Sequence, residues 1–264
     1  VSRGDLMPTA TLQPAFVLFL FANVDLGVGL GTLAPELCKT RICEVNALLT
    51  GAFQAVNGDP SERYASARTT ASTQIEAAQH ELVYGELSIP TMATILDAVG
   101  VYEGDSFLDV GSGDGALVLG AAMLFPHHLR ISRGLELVPG LVERSNVHLD
   151  RVRPNLEVPV AFELGDVHSS EDTRIRHMLV DSTLGMCFAT TWSAGNSDSG
   201  KRNSLQGRIL PKLSVALSQM PKGARVVVVD GRLDCKDGYR WDGDLRIECP
   251  DTAPYSIASL YERS

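Results

Sequence analysis

The stretch Phe107-Leu108-Asp109-Val110-Gly111-Ser112-Gly113-Asp114-Gly115 constrains this chain more than any other. Apolar Phe107, Leu108 and Val110 fit a central parallel strand buried on both faces. Gly111, Gly113 and Gly115 follow at once, so the backbone can turn tightly and approach a ligand with no Cβ in the way. Leu117, Val118, Leu119 and Ala121 then open a helical run. A strand, a glycine turn and a helix in that order predict an α/β fold that holds a nucleotide-like cofactor at the turn.

The charges near the turn discriminate between cofactors. A dinucleotide loop meets a pyrophosphate with bare amide groups. Asp109 and Asp114 would repel that anion and attract the sulfonium and ammonium of S-adenosylmethionine. Arg133-Gly134-Leu135-Glu136-Leu137 reads as the second strand, with an acid near its end. A carboxylate there can accept hydrogen bonds from a ribose diol. The expected cofactor is therefore S-adenosylmethionine.

Strands and helices alternate from Ser88 onward. Ser88 caps a helix with Pro90 in its first turn, Met92, Ile95, Leu96 and Val99 on one face, and Gly100 at its end. A helix over Pro139 to Val152 is closed by Pro154. Further strands are expected at 158–163, 184–189 and 224–230. A helix is expected over 205–220, with Pro211 kinking it or marking a later start. Arg246–Glu248 and Ser256–Leu260 pair as a C-terminal antiparallel hairpin. The predicted architecture is a doubly wound, mostly parallel sheet. Residues 1–59 are set apart as an N-terminal, mostly helical extension, with helical spacing over 34–56 ended by Gly58-Asp59-Pro60. Residues 60–264 make the cofactor-binding domain, entered through a helix over 61–82.

A formal net charge of −9 excludes binding nucleic acid by bulk electrostatics and suits a basic partner. Five scattered cysteines, Cys38, Cys43, Cys187, Cys235 and Cys249, argue against a disulfide framework and for a reducing compartment. Cys187 reads as core. No spacing of Cys, His and acids matches a metal site, and the six histidines are assigned to surface or capping roles. The apolar run Phe16–Phe21 is short for a membrane span.

Several segments in order resemble one family. They are Val83-Tyr84-Gly85-Glu86, Asp109-Val110-Gly111-Ser112-Gly113, Gly134-Leu135-Glu136, Glu163-Leu164-Gly165-Asp166 and Ala189-Thr190-Thr191-Trp192-Ser193-Ala194-Gly195. This series resembles the Dot (disruptor of telomeric silencing) histone-lysine methyltransferases, which are class I, Rossmann-like enzymes. The resemblance runs from about Leu82 to Leu233. It implies that Tyr84, Gly85 and Glu86 fold over the methionine part of the cofactor, and that Asp109, Gly111 and Gly113 line its amino-acid tail. Glu136 would bind the ribose, and Asp166 with Val167 would face the adenine.

The family's Asn-Asn-Phe-Ala-Phe-Gly loop reads Thr190-Thr191-Trp192-Ser193-Ala194-Gly195 here. Thr190 puts one hydroxyl where the family has a carboxamide beside the methyl donor. Tyr84, Thr190 and Trp192 are the catalytic candidates, with Trp241 and Tyr255 as further walls of an acceptor channel. The resemblance implies lysine methylation of a core histone or another lysine-rich protein, intracellular and, for a histone, in the nucleus. The alternatives are a class I methyltransferase acting on a non-histone protein or small molecule, and a non-catalytic cofactor-binding module.

Overall fold

The computed structural model describes residues 37–57, 66, 69, 87–169, 171–189, 208–249 and 253–264. All of them lie in one compact unit, Gly31–Ser264. The chain runs through α1 (Lys39–Asn57), α2 (Ile89–Val99), β1 (Asp105–Val110), α3 (Ala116–Leu124), β2 (Leu129–Glu136), α4 (Pro139–Val152) and β3 (Val160–Leu164). It continues through α5 (Thr173–Val180), β4 (Leu184–Phe188), α6 (Pro211–Leu217), β5 (Arg225–Val229), β6 (Tyr239–Cys249) and β7 (Ala253–Arg263).

The seven strands form one sheet in the order β3-β2-β1-β4-β5-β7-β6. β1 to β5 are parallel to one another, and β7 pairs antiparallel with both β5 and β6. The order reverses between β1 and β4, which opens a crevice beyond the carboxyl ends of those strands. This is the expected doubly wound sheet with an antiparallel end.

Alternation along the strands divides the core in two. Phe107, Val227 and Val229 face one side, with Met92, Leu96, Leu119 and Leu49. Leu108, Val226 and Val228 face the other, with Ile175, Leu179, Leu213 and Leu217. Helices α1 to α4 cover the first face and α5 and α6 the second. Since α1 buries Val45, Leu49 and Phe53 in the same core as the sheet, residue 59 does not divide the core.

The caps behave as read. Ser88 accepts from the Thr91 amide at 3.2 Å, and Gly100 ends α2 at φ 80°. α4 has the expected bounds, and α6 starts at Pro211 rather than bending there. Three elements differ. β2 begins at Leu129, four residues before the expected start, because its polar residues are satisfied. The Ser132 hydroxyl donates to Val118 O at 2.7 Å, and Arg130 and Arg133 both pair with Asp181. α5 was not expected, yet Asp172 caps it and Ile175, Met178 and Leu179 are buried. The hairpin is eleven residues on each arm, since Trp241-Asp242-Gly243 is a bulge inside β6 and not a break.

Candidate functional site

The glycine turn sits at the carboxyl end of β1. Its backbone is held by β2: the amides of Gly111 and Ser112 donate to Leu135 O at 2.8 and 3.2 Å. Gly111, Gly113 and Gly115 have φ of 80°, 57° and 93°. Gly115 is the most demanding. A Cβ there would stand 2.5 Å from Phe162 Cζ and 3.2 Å from Ser145 Cβ, so a side chain is excluded by contact as well as by torsion. Gly111 is exposed while residues 112 to 115 are buried, so the turn opens outward at Gly111.

Glu136 closes the arrangement. It is 6% exposed, and its two carboxylate oxygens accept from the amides of Gly113 at 2.8 Å and Val138 at 2.9 Å. Its backbone carbonyl accepts from Gly165 at 2.9 Å. One residue thus joins the turn after β1, the end of β2 and the end of β3. Burial pushes its carboxyl above the ordinary range, and the bonds from Val138 and Gly113 pull the other way without cancelling it. Each oxygen has taken one N–H and keeps acceptor capacity for a ribose hydroxyl. The residues present therefore fit the ribose and amino-acid parts of S-adenosylmethionine.

Asp109 lies at the end of β1 and is 2% exposed. Its charge adds to burial in pushing the thiol of Cys187, on neighbouring β4, well above its usual value. Cys187 is therefore an inert core thiol. Asp166 is exposed and accepts from the His168 amide at 2.9 Å in a local turn, and Val167 beside it is buried. Asp109, Gly111, Gly113, Glu136, Asp166 and Val167 thus collect at the carboxyl ends of β1, β2 and β3. Tyr84, Glu86, Thr190 and Trp192 lie outside the described residues.

Three readings are corrected. Asp114 does not face the crevice: it is fully buried, and its carboxylate pairs with Arg144 at 3.6 Å. His148 is core, not surface. It is fully buried, with Nδ1 2.9 Å from Asp114 O and its ring edge-on to Phe53. Trp241 pairs in register with Tyr261, which pairs with Val226 near the start of β5, so it stands toward the opposite end of the sheet. Tyr255 lies under the Arg246 guanidinium at 4.0 Å, past the carboxyl end of β5, where β7 pairs Ala258 with Val229.

Sequence reasoning also missed Arg208 and Asp230. The Arg208 guanidinium bonds the carbonyls of Ala189, at the end of β4, and Asp230, after β5. Burial lowers its pKa, partly offset by the Asp230 charge. Asp230 has φ 57°, and its carboxylate accepts from the Ser256 hydroxyl and the Ile257 amide at 2.9 and 3.0 Å. A single acid ending a valine run was the available signal. No group of His, Cys, Asp and Glu among the described residues could hold a metal ion, and no described helix is long and apolar enough to cross a membrane.

Residues 69–150 match the family model described as histone methylation protein DOT1. That span runs through α2, the glycine turn, Glu136 and most of α4. No curated protein matches the chain. Among solved structures, TrmN from Thermus thermophilus is similar at 12% identity and TM-score 0.47, over 72% of this chain and 53% of its own. This chain therefore spans about half of that structure's length. A putative sarcosine dimethylglycine methyltransferase from Galdieria sulphuraria is similar at 10% identity and TM-score 0.45, over 67% and 85% of the two chains. TrmK from M. capricolum, solved with S-adenosylhomocysteine, is similar at 8% identity and TM-score 0.43, over 70% of each. The resemblance to the Dot family is thus matched over residues 69–150, the first part of the expected span. That segment holds the glycine turn and the Glu136 contacts, the part of the site whose residues fit S-adenosylmethionine.

Proposed function

We propose that this chain is a class I, S-adenosylmethionine-dependent methyltransferase that acts on lysine side chains of a histone or another basic protein. The observation that carries the reading is the DOT1 match over the segment that contains the turn and Glu136. The net charge of −9 supports it, since a lysine-rich partner is drawn to an acidic molecule. A nuclear location rests on the same reading.

S-adenosylmethionine supplies a methyl group already activated on a sulfonium. What remains for the chain is alignment and exclusion of water. The turn at Gly111 to Gly115 and the Glu136 carboxylate would hold the donor. Asp109 would contribute negative potential to the cofactor's cationic amino-acid tail. The acceptor amine must lose a proton before its lone pair can attack, and a dry channel lowers its pKa enough for that. Tyr84, Thr190 and Trp192 are assigned to that channel. No dedicated general base is required.

Thr190 in place of the family's asparagine favours a second reading, a class I methyltransferase with a different acceptor. Labelled methyl transfer to nucleosomes, free histones and a small-molecule extract decides between them. Label on histone lysine is the expected result, and label on small molecules alone would overturn the proposal. Thr190→Asn should change turnover more than cofactor affinity, measured by steady-state kinetics and calorimetry.

A further inference from the structure

The glycine turn is gripped from below by three polar side chains on one face of α4. Arg144, Ser145 and His148 stand at helical spacings that bring them to the same side. Nδ1 of His148 lies 2.9 Å from Asp114 O. A carbonyl only accepts, so Nδ1 carries the hydrogen. The Ser145 hydroxyl lies 3.0 Å from Gly113 O and 2.9 Å from Leu141 O, and shares its one proton between them. Arg144 pairs with the Asp114 carboxylate at 3.6 Å. Asp114, Ser145 and His148 are all fully buried.

Burying the Ser145 and His148 side chains on the face that also buries Leu141, Leu149 and Val152 is unfavourable unless each finds a partner. Both find hydrogen-bond acceptors in the backbone of the same two turn residues, Gly113 and Asp114, and Arg144 adds an ion pair at 3.6 Å to the Asp114 carboxylate. From above, the Gly113 amide is already held by Glu136. The turn is thus fixed on one side by the ribose carboxylate and on the other by α4.

We propose that Arg144, Ser145 and His148 are positioning residues. They hold the turn in its cofactor-binding shape and set affinity for S-adenosylmethionine without touching it. The inference rests on the methyltransferase reading only for its ligand; the clamp itself is a property of the turn. His148 also carries the edge contact with Phe53, whose ring centroid is 4.0 Å away, so α1 buttresses the same grip.

The test compares four variants of the full chain, with S-adenosylmethionine binding by calorimetry and hydrogen exchange at the amides of residues 113 to 115. His148→Leu removes the donor, while His148→Asn restores an N–H near the place of Nδ1. Ser145→Ala removes the second contact. Leu245→Ala, a buried core change on β6, reports general destabilisation. His148→Leu should weaken binding by about tenfold, as expected for one buried carbonyl left without its donor. It should also speed exchange at the turn. His148→Asn should recover most of both, and Ser145→Ala should weaken binding by a smaller factor.

Equal binding by His148→Leu and the wild type would overturn the clamp. So would turn exchange no faster than in Leu245→Ala, or no difference between the Leu and Asn variants. If the wild type itself fails to bind S-adenosylmethionine, the methyltransferase reading falls, and exchange at the turn still decides the clamp.

Discussion

Glu136 is an acid in a dry place, and its two roles pull against each other. Burial raises its pKa above the ordinary carboxyl range. The folded chain therefore prefers it protonated more than the unfolded chain does. By this group alone, stability falls as pH rises through the raised pKa and recovers on acidification toward the ordinary carboxyl range. Cofactor affinity runs the other way. A protonated carboxyl sets an O–H against the N–H of Gly113 or Val138 and loses an acceptor for ribose. Calorimetric affinity for S-adenosylmethionine should decline on acidification in a window above that of a free glutamate. Glu136→Ala should remove that dependence and weaken binding. Asp230 makes a second prediction at this scale. Asp230→Ala loses two hydrogen bonds and leaves a left-handed residue without its local anchor, so it should cost about 2–3 kcal/mol in denaturant unfolding. Asp230→Asn should cost less, because asparagine tolerates that conformation.

Elements were legible where local chemistry ends them. Ser88 and Gly100 mark α2, and Pro139 and Pro154 mark α4, because caps and prolines act within a turn or two. The start of β2 was hidden because Arg130, Ser132 and Arg133 look like loop until Asp181 and Val118 O are known to receive them. α5 was hidden by its length of eight residues, too short for a periodic pattern to stand out. The site itself was legible as single residues but not as contacts. Asp114 and His148 were misplaced because nothing in their local sequence says which side of the turn they face. Packing across elements also yields a test. A Cβ at Gly134 on β2 would stand 2.5 Å from Ser112 Oγ and 2.7 Å from Phe162 Cδ1. Gly134→Ala should therefore destabilise by about 1–3 kcal/mol. It should also reduce cofactor affinity, because Ser112 lies within the turn it would push.

At the scale of the whole molecule, the sheet is tied at the end opposite the site. Arg225 at the start of β5 pairs with both oxygens of Asp105 at the start of β1, at 2.5 and 2.6 Å, bonds Gly100 O, and stacks on Tyr102. Thr183 donates to the same carboxylate at 2.7 Å. Removing one partner of a pair this buried should cost about 3–5 kcal/mol, so Arg225→Met should lower the thermal midpoint and leave cofactor affinity little changed. The helical extension expected before residue 59 is, in its α1 part, a wall of this same core, which a reading of helical spacing alone could not show. Phe53→Ala should cost about 3–5 kcal/mol by thermal or denaturant unfolding.

The position of β7 has a consequence for how the molecule is made. In the sheet it lies between β5 and β6, although it follows both of them along the chain. While the ribosome is still short of residue 253, β5 holds Val226 to Val229 with one edge open, and β6 has no neighbour to join. Bare edges rich in valine recruit strands from other chains. The interval between synthesis of β5 and arrival of β7 is thus one in which this chain is exposed to misassembly, and slow translation there should lower its soluble yield, read as the fraction of protein in the supernatant.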